Sequence, residues 1–478
     1  MDIERAPKEP PDGGGVEDMK TSTTNPRQYD NPFDFPAWKK WMITVLCAFL
    51  TVAVTFSSSI FSSTINTTSM EFGVSDTIMI LGVSLYVLGF ALGPIIWGPC
   101  SELLGRRYPL FIGYAVFALM QIPIALSKSL AGVLICRLLA GCFGSAPMVL
   151  VSAMYADYWT PAHRGTATAV YSMAVYIGPT LGPIVGAFVT ESRLGWRWTA
   201  WLTLMLAALV GTPAFFLVPE TYGPVLRERA AEKLRKSGVH VEPERDPPSI
   251  DTFVRIYLVK PMLMLMHEPV AIVITIYISI VYGILYLTFY AFPYSFSVER
   301  GWDPRMSSLP FISILLGSVT GSILVAFYSQ HYYQKRLIAR GRTLPEDRLP
   351  PLMLGSVILP AGLFWFGWTA SAGISWVPQV FAGFFVGCGI MLIFTNGVAY
   401  VVDIYLSSSA SAMTVNTCIR SFAAAGLPIV APEMYKGLGT AWATSVLGFL
   451  CILAMPAPFL FYRYGAKLRQ MSKFALTK

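Results

Sequence analysis

The chain has 478 residues, of which 54% are hydrophobic and only 13% are charged, and its mean hydropathy is +0.56. A soluble domain carries roughly 25% charged residues, so the composition excludes a water-soluble globular protein. The net charge of +8 does not by itself indicate a nucleic-acid partner, and we expect none, because the basic residues follow the borders of the apolar segments.

Residues 1–37 form a polar leader before the first apolar segment. They contain PKEPPDGGG and TSTTNP and show no apolar periodicity. Such a composition buries too little apolar surface to fold. No short apolar region with a cleavage site precedes the first long segment, so a signal peptide is not expected. We interpret 1–37 as a disordered cytosolic tail.

Twelve apolar segments follow, and each is long enough for a membrane helix, which needs about 20 residues. Strict alternation of apolar and polar residues is absent, which argues against a β-barrel. The sequence therefore predicts an all-α membrane protein with twelve transmembrane helices. We call them spans 1 to 12, at roughly 41–65, 78–97, 108–127, 130–155, 166–190, 197–218, 269–292, 309–329, 351–371, 375–402, 409–431 and 439–462.

The basic residues predict the orientation of these spans. Of the 35 Lys and Arg residues, 27 fall in the two tails and in every second loop, and six fall in the loops on the opposite side. Cytosolic loops collect Lys and Arg, so both termini are expected in the cytosol. The remaining two arginines, Arg137 and Arg420, lie inside spans.

The longest interior polar segment divides the chain into two sets of six spans. We predict an N-terminal bundle at 38–218, a cytosolic central loop at 219–268, a C-terminal bundle at 269–463 and a cytosolic tail at 464–478. Two pseudo-symmetric six-helix bundles are typical of secondary transporters. The central loop contains a charged helix, Val225–Gly238, which either lies on anionic lipid or links the bundles.

Span 5 carries small residues on one helix face and two prolines. The small residues recur every four positions, a pattern that lets helices in lipid approach closely. Each proline removes a backbone donor and bends the helix. We expect this face to pack against the other half, and we expect Gly426 in span 11 to mark the matching helix. The span 5 residues are Ala174, Gly178, Pro179, Gly182, Pro183 and Gly186.

The loop between spans 2 and 3 reads GPCSELLGRR, from Gly98 to Arg107. Its glycines permit a tight turn. Glu102 can pair with Arg106 or with a helix N-terminus, which would form a latch that opens when the spans slide. Asp157 and Asp403 end spans 4 and 10 and are expected to pair with such latches. The predicted latch set is Gly98, Glu102, Gly105, Arg106, Arg107, Asp157, Arg164 and Asp403.

Several stretches together resemble one family. GPCSELLGRR resembles the G-x-x-x-D-x-x-G-R-R signature of the major facilitator superfamily, with Glu102 in place of the commoner Asp. The span 5 segment resembles the antiporter motif of that superfamily, and RLLAGCFGSAP resembles its span 4 motif. ADYWTPAHRGTA, VPETYGPVL, YVVDIYLSSSASA and PFLFYRYGAKLR extend the likeness to its fungal twelve-span drug:proton antiporters. The resemblance implies the fold of that superfamily, proton-driven export by alternating access, and a part in proton coupling for Arg137.

Polar residues inside the spans are candidates for the central cavity. A charge at mid-span costs about 2.5–3.5 kcal/mol on insertion scales, so it should face the interior and have a partner. Two cations, Arg137 and Arg420, would suit an anionic substrate if both face a cavity, although each could instead make a local structural pair. Gln121, Asn396 and Asn416 either face the cavity or join helices by hydrogen bonds. No carboxylate or His lies at mid-span, so the proton carrier is not evident.

Span 7 is rich in aromatic residues. Tyr282, Tyr286 and Tyr290 share a helix face by their spacing of four. They could line a cavity that takes flat molecules by stacking, or they could lie at the lipid interface, where tyrosines are common.

The sequence therefore favours a plasma-membrane exporter that exchanges protons for a small organic molecule, such as a drug, secondary metabolite or polyamine. A vacuolar or other internal membrane is the alternative location. An organic-acid exporter or facilitator is the alternative function, and a transport-dead receptor and a membrane enzyme rank lower. We expect a monomer in the lipid bilayer, with no cofactor and no metal. No phosphate-binding GxxxxGK[ST] motif is present in the sequence.

Overall fold

A computed structural model describes residues 31–237, 260–340, 344–405 and 409–470. Throughout those ranges the regular structure is helical, with no β-strand. Most of the predicted disordered tail, residues 238–259 of the central loop, and the last eight residues lie outside the described residues.

The first half consists of six long helices, as predicted. Serine side chains begin two of them, since Ser75 accepts from Ile78 N–H and Ser129 accepts from Gly132 N–H. A side-chain oxygen at this position satisfies one of the backbone donors that a helix start leaves open. Spans 1 to 6 are Ala37–Phe72, Asp76–Leu104, Arg107–Leu126, Leu130–Tyr158, Pro161–Thr190 and Arg197–Leu217.

The second half repeats this arrangement. Span 7 is Pro269–Pro293 and continues as a π-helix to Glu299, and span 8 is Phe311–Tyr328. Spans 9 and 10 are Leu349–Trp368 and Trp376–Ile404. Spans 11 and 12 come from the helical segment Ser409–Ala454 and its continuation Pro456–Gln470.

Gly439 separates spans 11 and 12. Eleven helical stretches in the described ranges are long and apolar enough to cross a membrane, and the last is 59 residues long. Gly439 interrupts it with φ +71°, a conformation that favours glycine. The hydroxyls of Tyr435 and Thr444 then meet at 3.1 Å, although a straight helix would hold residues nine apart at about 13 Å. The chain therefore reverses here, which makes twelve crossings.

The two halves use the same helix pairings. Within the first half, span 5 packs on span 1 and span 4 packs on spans 2 and 3. Within the second half, span 11 packs on span 7 and span 10 packs on spans 8 and 9. The halves meet through span 2 against span 11 and span 5 against span 8. This repetition is the internal symmetry that the six-plus-six layout predicts.

The charged segment after span 6 folds as the helix Gly223–Lys236, close to the predicted bounds. Arg229 lies over the ring of Tyr108, 5.5 Å from its centroid, at the start of span 3. This contact places the helix against the same end of the bundle as the loop between spans 2 and 3.

The glycine face of span 5 contradicts one expectation. The atoms nearest to its three glycines belong to span 1 of the same half, not to the other half. A Cβ atom added at Gly182 would lie 2.0 Å from Ser59 Oγ and 2.7 Å from Ile60 N. The same closeness recurs one turn to either side, at Gly178 against Thr55 and at Gly186 against Ser63. Gly426 in span 11 has no atom within 4 Å of such a Cβ, so it is not an equivalent packing position.

Candidate transport cavity

A cavity of about 1060 Å³ lies between the two halves. Spans 2, 4 and 5 of the first half and spans 8, 10, 11 and 12 of the second half line it. Its inner end reaches Met148, Tyr171, Phe394 and Arg420, near the middle of their spans. Its other end reaches the helix termini that carry the basic residues, which we call the basic end: Arg106, Asp157, Arg164, Arg348, Asp403 and Arg469.

Arg420 is the charged residue at the inner end of this cavity. It is only 3% exposed, and its Nε atom has no hydrogen-bond partner among the described residues. No ion pair to it is found in those ranges either. Its guanidinium carbon lies 5.1 Å from the ring centroid of Tyr282 and 4.9 Å from that of Phe394. The cation is thus held by aromatic faces, and no hydrogen bond from it is found within the part of the chain that the structure describes.

Arg137 does not line the cavity, so the expectation of two cavity cations is wrong. Its guanidinium donates to the backbone carbonyls of Gly82, Ser57 and Ser58, at 2.8, 2.7 and 3.1 Å. These carbonyls belong to spans 1 and 2, and Arg137 is 2% exposed. The arginine therefore joins three helices of one half, which is the structural alternative considered for it. Its role in proton coupling stays a prediction.

The three uncharged polar candidates within the spans also differ in whether they line the cavity. Asn396 lines the cavity and donates to Leu392 O of its own helix at 2.8 Å. Asn416 is buried away from the cavity wall and donates to Thr275 Oγ1 of span 7 at 3.3 Å. Gln121 is also buried outside the cavity and donates to Phe117 O. One of the three polar candidates therefore faces the cavity.

The tyrosines of span 7 lie behind the cavity wall. Tyr282 and Tyr286 are fully buried, so neither lies at a lipid interface. Tyr282 supports Arg420 from behind, and Tyr286 contacts the other half. Tyr290 stacks on Tyr294, with ring centroids 5.8 Å apart. The aromatic residues that line the cavity are instead Tyr171, Tyr333 and Phe394.

At the basic end of the first half, Arg106 pairs with Asp157. Arg106 Nε lies 3.1 Å from Asp157 Oδ2, and its Nη1 donates to Ser101 Oγ at 2.7 Å. Arg107 donates to Phe215 O at 2.9 Å. The loop between spans 2 and 3 is therefore attached to the end of span 4. Gly98, Glu102 and Arg164 line the cavity beside this pair.

Glu220 is a residue that the latch prediction missed. Its carboxylate accepts from the backbone N–H groups of Arg106 and Arg107, at 2.8 and 3.2 Å, where span 3 begins. A negative charge is stabilising at a helix N-terminus. Gly105, with φ +90°, leaves room for it, because a Cβ there would lie 2.3 Å from Glu220 Oε2. The signal was the VPETYGPVL stretch, which carries this glutamate as its third residue.

The second half has a matching ion pair. Arg348 Nε lies 3.0 Å from Asp403 Oδ2, and Tyr333 donates to the same oxygen at 3.3 Å. Arg348 precedes span 9 as Arg106 precedes span 3, and Asp403 ends span 10 as Asp157 ends span 4. Sequence reasoning missed Arg348 because the second half lacks the GRR motif. Only the symmetry of the two halves could have indicated it.

Beyond Arg420 the halves touch and close the cavity. Ser58 of span 1 and Tyr286 of span 7 share a hydrogen bond of 2.9 Å. The ring of Tyr176 in span 5 lies 5.1 Å from that of Phe394 in span 10. These contacts join the halves on the side opposite to the basic end, and among the described residues the cavity lining extends from Arg420 toward the basic end.

The charge on the cavity wall is positive. Five arginines and three carboxylates line it, and no group of three or more metal-ligating side chains is found in the described ranges. The lining charges are Arg106, Arg164, Arg348, Arg420 and Arg469, with Glu102, Asp157 and Asp403.

Comparisons with known proteins agree with this architecture. The family description "Major Facilitator Superfamily" matches residues 47–427. The chain is 46% identical to an ascochitine biosynthesis cluster MFS transporter of Didymella fabae, covering 98% of this chain and 91% of that protein. It is also 46% identical to a citrinin biosynthesis cluster MFS transporter of Monascus ruber, covering 94% and 91%.

The fold is also found in solved structures. A proton:xylose symporter of the same superfamily superposes with a TM-score of 0.68 at 15% identity, covering 90% of this chain and 96% of that one. At this identity the likeness concerns the fold alone. Family profile, fungal relatives and fold agree, and the chain belongs to the major facilitator superfamily of membrane transporters.

Proposed function

We propose that this transporter exports a small organic molecule of the secondary-metabolite type from the cytosol, in exchange for protons and by alternating access. The basic end would then face the cytosol, as the distribution of Lys and Arg predicts. The plasma membrane is the proposed location, and the monomer is the proposed working unit.

One observation carries this proposal, namely a cavity between two symmetric halves that extends to the basic end and is bounded on the far side by contacts between the halves in the described ranges. Such a cavity can release its contents on the other side if the halves rock about it. The contacts that close the far side include the Ser58–Tyr286 hydrogen bond and the contact between the rings of Tyr176 and Phe394. A hydrogen bond contributes about 0.5–1.5 kcal/mol, so this closure can break during a cycle.

The cavity suits a drug-sized substrate. Pockets for such molecules span about 300–1,000 Å³, and this one has about 1060 Å³. Relatives named for the ascochitine and citrinin biosynthesis clusters support a secondary metabolite as the cargo. The excess of arginine on the wall argues against a polyamine, because like charges in a confined site repel each other.

Proton coupling would fall to the carboxylates near the basic end. Asp157 and Asp403 each pair with an arginine and face the cavity, and Glu102 lies beside them. Protonation of either aspartate would release its arginine and loosen the loop it holds. Arg137 can contribute only indirectly, through the helices that its hydrogen bonds join.

Purified protein in liposomes tests the proposal. Candidate metabolites are loaded, and their flux is measured with and without an imposed pH gradient. Flux that rises with protons moving in the opposite direction supports antiport. Flux that is the same with and without the pH gradient excludes antiport. Absence of flux for every metabolite tested excludes export and favours a transport-dead receptor.

A facilitator or exporter of organic acids is the second candidate. The observation that favours it is Arg420, a buried cation without a described hydrogen-bond or ion-pair partner, at the inner end of the cavity. This candidate needs no proton carrier, in keeping with the lack of a carboxylate at mid-span.

A further inference from the structure

We infer that Arg420 and the aromatic residues around it form the substrate subsite, and that this subsite binds the acidic group of a planar organic molecule. The inference rests on the proposed function and specifies the chemical class of its cargo. The acidic group would be a carboxylate or an ionised enol or phenol, attached to an aromatic or conjugated ring system.

Arg420 has hydrogen-bond donors that no described residue satisfies. A guanidinium carries five N–H donors, and burial without acceptors is unfavourable for a charged group. Three of the other cavity arginines, Arg106, Arg348 and Arg469, each pair with a carboxylate. Arg164 has an Nε atom without a partner in the described ranges, but it lies at the basic end and not at the inner end of the cavity. Arg420 lacks such a partner in the described ranges, although it is 3% exposed and reaches the cavity. An anionic ligand would supply the missing acceptors.

Two aromatic rings fix the position of the Arg420 guanidinium. Tyr282 and Phe394 are stacked at an interplanar angle of 24°, and both face the guanidinium at about 5 Å. Aromatic faces attract a cation but accept no strong hydrogen bond. They therefore hold the planar group while its N–H edges stay free for a carboxylate, which an arginine can bind with two parallel hydrogen bonds.

The side chains at the inner end of the cavity favour a flat ligand. Phe394 and Tyr171 present rings to the inner end of the cavity, and Met148 adds a flexible apolar side chain. Flat ring systems gain most from such walls, because offset stacking and sulfur–aromatic contacts add to burial. An extended polar anion would leave these surfaces without a partner.

The charges on the cavity wall also favour an anionic ligand. Five arginines against three carboxylates leave the wall with an excess of positive charge. A cleft with a surplus of one sign of charge attracts ligands of the opposite sign. An anion that leaves the cytosol also moves with the membrane potential, which favours its export about fifty-fold per 100 mV for one charge. The subsite therefore matches the proposed direction of transport.

A calorimetric titration tests the inference with defined probes. Wild-type full-length protein in nanodiscs is titrated with 2-naphthoate, with 9-anthracenecarboxylate, and with the primary amide of each. The members of a pair differ in charge but hardly in shape. We expect each acid to bind at least about tenfold more tightly than its amide, since a hydrogen bond to a charged group is worth that factor or more.

Three variants locate the effect. In Arg420→Gln, the dissociation constants of each acid and its amide should differ by no more than about twofold. Arg420→Lys should keep part of the preference for the acid, because lysine retains the charge without the forked donors. Arg305→Gln is the matched control, because Arg305 lies outside the cavity and pairs with Asp303. It should keep the full preference. The inference is overturned if no acid binds wild type more tightly than its amide, or if the preference survives in Arg420→Gln.

Liposome flux of the same probes separates this inference from the proposed function. Acid binding that depends on Arg420, without any flux of acid or metabolite, would refute export and leave the subsite intact. Metabolite flux at the wild-type rate in Arg420→Gln would refute the subsite and leave export intact. Flux of the acids that rises when the inside is made negative relative to the outside would support both.

Discussion

Substitution of Gly182 by alanine tests the packing of span 5 on span 1. The added Cβ would lie 2.0 Å from Ser59 Oγ, 2.7 Å from Ile60 N and 3.0 Å from Phe56 O. The serine hydroxyl can rotate away, but the two backbone atoms cannot. Ordinary contact begins at 3.4 Å, so the helices must separate by about 0.7 Å.

The cost follows from the contacts that this separation weakens. A gap of about 0.5–1 Å removes roughly a quarter to a half of the van der Waals attraction of each atom pair, and each pair contributes about 0.1–0.2 kcal/mol. With roughly 40 pairs along the two helices, the loss is about 2 kcal/mol, within the usual range for overpacked sites. We therefore expect Gly182→Ala to lower the thermal unfolding midpoint of the purified protein in nanodiscs.

Two further variants make this prediction specific. Gly426→Ala is the matched control, because its Cβ would meet no atom within 4 Å, and it should unfold at or above the wild-type temperature. Adding Ser59→Ala to Gly182→Ala removes the nearest atom but leaves Ile60 N, so it should recover only part of the loss. If Gly182→Ala and Gly426→Ala unfold at the same temperature, the helix contact described above is wrong.

Three other substitutions have defined outcomes. Arg137→Met leaves three buried carbonyls without this donor and should lower the free energy of unfolding by at least about 2 kcal/mol, seen as a lower unfolding midpoint. Loss of transport should then accompany loss of folded protein, and a variant of normal stability would contradict the structural role. Glu220→Gln removes the charge that accepts N–H donors at the start of span 3 and should cost about 1–3 kcal/mol in the same assay; an unchanged midpoint would contradict this. Tyr286→Phe removes the bond to Ser58 and should raise hydrogen exchange in the outer halves of spans 1 and 7 about two- to tenfold; unchanged exchange would show that this bond does not hold the closed side.

The membrane class, the number of spans and the family followed from sequence, because each depends on local composition. A helix in lipid satisfies its own backbone, so about 20 apolar residues suffice to predict one span. At Gly439, hydropathy alone predicted the boundary between spans 11 and 12, although the helical segment there is nearly continuous. The motif residues around Gly98 and Arg106 were recognised for the same reason, because they are adjacent along the chain.

Contacts between distant residues were decided by the tertiary structure alone. The repeat of Gly178, Gly182 and Gly186 predicted a close helix neighbour, but only packing determined that the neighbour is span 1. Arg137 and Arg420 are equivalent in sequence as arginines within apolar spans. Three carbonyls from neighbouring helices engage the first, and none is found on the second in the described ranges. That difference depends on which helices surround each residue, and hydropathy and motifs carry no information about it.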